Sequence, residues 1–165
     1  MIAGAGTVAL SMFDDAPDLD AIVVPVGGGG LIAGCAIVAR SVAHPVVVIG
    51  AEAEASPVFT TSLGAGEITR VDVTPTLADG LAGNLDPASC TFALVSDLVD
   101  RVALVAESSI ELAMRELIRR ERLIAEGAAA TAVGAILQGL DLAGRKVGVI
   151  LSGRNVDAET LRRIL

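Results

Sequence analysis

The sequence predicts an α/β fold, a parallel β-sheet with helices packed on its faces. Short β-branched runs recur, at Ala21–Val26 and Val46–Gly50, and each leads into a longer helical stretch. These runs are apolar at every position rather than at alternate ones, as in strands covered on both faces. The 165 residues are 53% hydrophobic yet hold three Phe, no Trp and no Tyr. Ala, Val, Leu and Ile must fill the core, and small aliphatic side chains suit close helix-on-sheet layers.

The length fits one domain, residues 1–165. A helix opens it from about Gly6, and Asp14 to Asp20, with Pro17, is a turn before the first strand. Leu31 to Val42 reads as the next helix, and a helix-compatible stretch starts at Ser56 after the second strand. Gly64 to Pro87 is the least periodic part and predicts long loops. Val102–Val105 is a third strand. Ser108 is the expected N-cap of a helix carrying Glu111 three residues on, with Ile110, Met114, Leu117 and Ile118 at helical spacing. Glu126 to Gln138 is Ala-rich and reads as a buried helix, Lys146–Leu151 as the last strand, and Val156–Leu165 as a closing helix.

The net charge of −8 is spread along the chain, and of twelve basic residues one, Lys146, is a lysine. Without basic stripes or aromatic platforms, nucleic acid is not an expected partner. Ala21 to Ala39 carries no charge, but Pro25 and Gly27–Gly30 would break a membrane-spanning helix in its middle. No membrane association is expected, and no basic segment after Met1 suggests a secretory signal. Cys35 and Cys90 both lie in apolar surroundings and read as free structural thiols, which makes the cytoplasm the expected location.

Gly27-Gly28-Gly29-Gly30 stands directly between a buried strand and a helix. Such a backbone folds tightly and aims several N–H groups at one point. The N–H groups of Gly28 to Leu31, with the positive end of the helix dipole, suit a phosphate without any basic side chain. A dinucleotide site is the rival, since Gly27, Gly29 and Glu52 partly mimic that fingerprint, but Ile32 occupies the third glycine's place. Gly4-x-Gly6-x-x-Ala9 has no strand before it.

Pro25 to Gly34 resembles the tetraglycine loop of the fold-type II pyridoxal-phosphate enzymes, in the threonine dehydratase and serine racemase branch. Ala3–Thr7, Thr76–Ala82, Glu126–Ala128 and Leu151–Asn155 resemble further motifs of that branch, in order and spacing. The resemblance implies that Gly27, Gly28, Gly29, Gly30 and Leu31 hold the phosphate of pyridoxal 5'-phosphate and that Ser152 hydrogen-bonds its pyridine nitrogen. A hydroxyl there, unlike a carboxylate, leaves the ring a weaker electron sink, which favours β-elimination. The implied reaction is the deamination of L-threonine or L-serine, small amino-acid substrates, to a 2-oxo acid. A racemase or β-replacement enzyme of the same fold, or a dinucleotide-binding module, is the alternative.

The sequence also departs from that branch. Ala5 replaces a glutamine, and Arg154 replaces a glycine and sets a cation beside Ser152. In metal-dependent relatives Glu52 would ligate a divalent cation with a carboxylate six residues on, where Val58 stands. Glu52 reads equally well as an ordinary strand-end acid. The branch carries its Schiff-base lysine in a motif upstream of the part matched here, and Lys146, beside Gly144 and Arg145, is no substitute. The expected partner is accordingly the missing N-terminal half, or further copies of the chain in a homo-oligomer, and the chain alone is expected to be inactive.

Overall fold

In the computed structural model, which describes residues 1–165, four strands form one parallel sheet. They are β1 (Ala21–Pro25), β2 (Val47–Ala53), β3 (Arg101–Val105) and β4 (Val147–Val149), in the spatial order β3-β2-β1-β4. Register pairs Val23 with both Ile49 and Val149, so β1 is an interior strand, as is β2 between β1 and β3. The continuous apolar runs have the cause inferred from sequence: alternate residues enter opposite layers, and both layers are buried.

Ile22, Val24 and Val48 face α1 (Ile2–Asp15), α2 (Gly30–Ala39), α3 (Val58–Ala65) and α4 (Cys90–Leu98). Val23, Ile49, Ala51 and Val105 face α5 (Glu107–Glu116) and α6 (Gly127–Leu137), through Ile110, Ala132 and Ala135. α7 (Ala158–Ile164) closes a third, smaller cluster by burying Ile164 against Met114 and Ala129. Where α1 crosses α2, glycines on both helices permit a close approach. A Cβ on Gly6 would stand 2.9 Å from the Gly34 carbonyl oxygen, so the two helices meet backbone to backbone.

Several expectations need correction. The first helix begins at Ile2, not near Gly6, so Gly4-x-Gly6-x-x-Ala9 lies within a helix and cannot be a phosphate turn. Ser108 is not a cap: α5 starts at Glu107, with Ala106 at the N-cap, and Glu111 pairs with Arg115 at 2.7 Å. Its last turn widens into a π turn over Leu117–Glu121, ending at Arg122 with φ 61°. The helix α4 is not among the elements read from sequence. Residues between α3 and α4 are irregular apart from a 3-10 turn at Asp79–Leu81, as the lack of periodicity predicts. No helix is long and apolar enough to cross a membrane, and Ala21–Ala39 divides into β1, a loop and α2.

Candidate functional site

β1 ends at Pro25, and its chain turns into α2 through the four glycines. Gly29 is the N-cap of α2 with φ 79°, a left-handed conformation that L side chains rarely adopt. A Cβ there would also lie 2.5 Å from the Phe59 ring. Gly27 is required by a different neighbour: its Cβ would stand 3.0 Å from Leu81 Cα. Gly28 and Gly30 have nothing within 4 Å of a Cβ position and so border open space. From Gly27 through Ile32 no N–H has a backbone acceptor, whereas Ala33 N–H already donates to Gly29. The arrangement fits a phosphate: unpaired donors at the positive end of a ten-residue helix, beside open space.

Three of the other segments, Thr76–Ala82, Glu126–Ala128 and Leu151–Asn155, form one connected set beside this loop, whereas Ala3–Thr7 lies in α1 with Gly6 against Gly34. The turn at Asp79–Leu81 packs backbone on Gly27, and Leu77 carbonyl lies so close to Gly127 that a side chain there would collide with it. Glu107 anchors the same segment from α5, accepting Thr76 Oγ1–H and Leu77 N–H, each at 2.6 Å. Glu126, at the start of α6, then reaches the Ser152 turn. Its carboxylate accepts Asn155 N–H at 2.9 Å and lies against the Cβ position of Gly153, while its own N–H donates to the Gly153 carbonyl at 3.2 Å.

Ser152 is exposed just beyond β4. Val23 pairs with Val149, and three residues further along the two chains stand Val26 and Ser152. Ser152 and the glycine loop thus share the carboxyl edge of neighbouring parallel strands, the usual position of ligands in open α/β sheets. Ser152 does not cap the closing helix. Asp157 does, accepting Thr160 N–H at 2.7 Å, a bond that holds its carboxyl below the usual carboxylate range. Arg154 is exposed and borders a shallow depression with Arg122, Leu123 and Ile124.

Glu52 is 1% exposed, and its two oxygens accept Phe59 N–H at 2.6 Å, Thr60 N–H at 2.9 Å and Thr60 Oγ1–H at 2.7 Å. It is a strand-end acid that caps α3. Burial pushes its carboxyl above the ordinary value, against the opposing pull of the Thr60 and Phe59 hydrogen bonds. Both of its oxygens are engaged in this cap, and no group of three or more His, Cys, Asp and Glu side chains is gathered there.

Lys146 pairs with Asp18 at 2.6 Å before β4, at the end of the sheet opposite the glycines. Seven residues of extended chain, roughly 20 Å, separate that end from Gly27. Cys35 is buried, and desolvation pushes its thiol up to about 11. Cys90 is exposed, contrary to its apolar sequence neighbourhood, because it opens α4 on the outer side.

Sequence reasoning did not assign roles to Phe59, Thr91 or Glu126. Phe59 and Thr91 back the glycine loop from helices far along the chain, and Thr91 Oγ1 donates to the Gly28 carbonyl at 2.9 Å. Only the resemblance at Glu126–Ala128 carried any signal for the third.

The model of the family described as pyridoxal-phosphate dependent enzyme matches residues 1–153. The chain is 42% identical over its whole length to an L-threonine ammonia-lyase of Thermotoga maritima, covering 41% of that protein. It is 41% identical to the catabolic L-threonine dehydratase TdcB of Escherichia coli (strain K12), with 99% of this chain aligned to 50% of that one. Among solved structures, the serine racemase of Dictyostelium discoideum superposes with a TM-score of 0.86 at 40% identity, over 94% of this chain and 50% of that chain. The processed threonine deaminase isoform 2 of Solanum lycopersicum gives 0.89 at 31% identity, over 99% and 48%. The chain therefore spans about half the length of these relatives. Matched by that family's model over residues 1–153, the chain belongs to the pyridoxal-phosphate dependent enzymes.

Proposed function

We propose that this chain is the phosphate-binding part of a hydroxy-amino-acid ammonia-lyase that acts on L-threonine or L-serine. The observation that carries the reading is the run of N–H groups from Gly27 to Ile32 without backbone acceptors, at the N-terminus of α2. Gly27–Leu31 would hold the phosphate of pyridoxal 5'-phosphate. Ser152, across the same strand edge, would meet the ring nitrogen. When bound, that cofactor supplies the electron sink for losing the α-proton and then the β-hydroxyl. The names of the relatives favour elimination. The likeness to a serine racemase keeps racemisation as a second reading.

The catalytic lysine would come from a further segment, since Lys146 stands at the wrong end of the sheet. The surface supports such a partner. Leu123 and Ile124 are about half exposed, Leu151 beside Ser152 is 37% exposed, and β4 is an edge strand with a free side. We assign that surface to the part of the relatives that this chain does not span, with self-association of the chain when the part is lacking. Cytoplasmic location accords with two unpaired thiols.

Calorimetric titration tests the reading. The chain is expected to bind pyridoxal phosphate and inorganic phosphate saturably and NAD not at all. With pyridoxal phosphate and L-threonine it should release no 2-oxo acid. NAD binding lost on Glu52→Ala would transfer the assignment to a dinucleotide module, and turnover surviving Lys146→Ala would refute the need for another lysine.

A further inference from the structure

We propose that Thr91 is the positioning residue of the glycine loop, setting the direction of its N–H groups without itself touching the anion. The inference rests on the phosphate reading above. Thr91 sits in the first turn of α4, far from the loop in sequence, and is nearly buried. Its hydroxyl proton goes to the Gly28 carbonyl at 2.9 Å. A trans peptide is planar, so the carbonyl of Gly28 and the N–H of Gly29 point to opposite sides. Fixing the carbonyl on Thr91 therefore turns the Gly29 N–H away from α4.

Two further contacts make the arrangement specific. Ser89 Oγ lies 2.7 Å from Thr91 Oγ1, and since the threonine has spent its one proton on Gly28, Ser89 supplies the proton of that second bond. A chain of hydrogen bonds thus runs from Ser89 through Thr91 to the loop. The Cβ of Thr91 and the Phe59 ring stand 3.0 Å and 2.5 Å from the Cβ position of Gly29, closing the loop's rear face. Four glycines in succession are free to adopt many shapes. With the rear closed and one carbonyl tethered, the loop holds its donors in place before a phosphate arrives, which lowers the ordering cost of binding.

The test compares Thr91→Val, which keeps shape and loses the hydroxyl, with Thr91→Ser, which keeps the hydroxyl. Inorganic phosphate and pyridoxal phosphate affinities are measured by calorimetry, and the Gly28 carbonyl and Gly29 amide resonances by NMR. Thr91→Val is expected to weaken both ligands by about tenfold, equivalent to ~1.4 kcal/mol, and to shift those resonances. Thr91→Ser should restore both to within about twofold. Wild-type affinity and unshifted resonances in Thr91→Val would overturn the proposal. If the wild-type chain binds neither ligand, the phosphate reading falls, and the resonances alone decide whether Thr91 sets the loop. Should Thr91→Val not fold, Ser89→Ala removes the proton donor upstream and is expected to weaken phosphate by about threefold, with no change again counting against the proposal.

Discussion

The Glu126 carboxylate accepts the Asn155 amide proton at 2.9 Å, joining the first residue before α6 to the turn that carries Ser152. The contact is reciprocal, because the Gly153 carbonyl accepts Glu126 N–H. A serine on an exposed turn has many rotational states. Bound through the Gly153 carbonyl and the Asn155 N–H, the backbone that follows Ser152 has few. The side chain also fills the space a Cβ at Gly153 would need, which explains a glycine there.

Glu126→Ala should therefore weaken pyridoxal phosphate several-fold while leaving inorganic phosphate unaffected, since the glycine loop is not touched. Glu126→Gln keeps an acceptor for Asn155 and should lie between. Parallel calorimetric titrations of the two ligands check this, and an equal loss for both would place the effect in general stability instead.

Gly29→Ala meets two obstacles, a φ of 79° and the Phe59 ring 2.5 Å from the new methyl. The substitution should destabilise the chain by about 1–3 kcal/mol and abolish phosphate binding. Gly28→Ala meets nothing within 4 Å and should fold as wild type, so any loss of phosphate affinity there reports on the space above the loop. Urea denaturation and titration of both variants separate the two cases.

The sheet and glycine loop were legible because each is written in consecutive residues. An apolar run, four glycines and a helical stretch need no knowledge of the rest of the chain. The nine residues of α4 fall below the window in which helical periodicity is distinct, and its contribution to the site, Thr91, depends on which face meets Gly28. The role of Glu52 was equally hidden. A carboxylate at a strand end reads alike as a ribose partner, a metal ligand or a cap, and only the position of α3 chooses the cap. Cys90 shows the limit of apolar context, since burial follows the helix face and not the neighbouring residues.

The two thiols should differ sharply in reactivity. Cys35 is buried with its thiol raised to about 11, so almost none is thiolate near neutral pH. A thiol-specific chromogenic reagent should titrate one equivalent in the native chain, lost in Cys90→Ser, and a second only after unfolding. Two fast equivalents in native conditions would mean that α2 opens readily from the sheet.

Glu52 offers a test of how the cap balances burial against hydrogen bonding. Two backbone N–H groups and the Thr60 hydroxyl point at its oxygens. Glu52→Gln replaces one acceptor with an NH2 group, so one of the facing N–H groups loses its partner. An unmatched buried donor costs about 1–3 kcal/mol, which is the expected loss in urea denaturation. The pH dependence has a definite sign. Burial, the largest influence, raises the folded carboxyl above its ordinary value of 4.5, so the folded chain keeps a proton that the unfolded chain has released. The stabilisation from this group is full below 4.5 and is lost as pH rises through the window up to the folded value. Glu52→Gln cannot titrate. The stability difference between wild type and Glu52→Gln should thus narrow with rising pH in that window and stay constant above it. A gap that widens instead would show that the three hydrogen bonds to the carboxylate outweigh its desolvation.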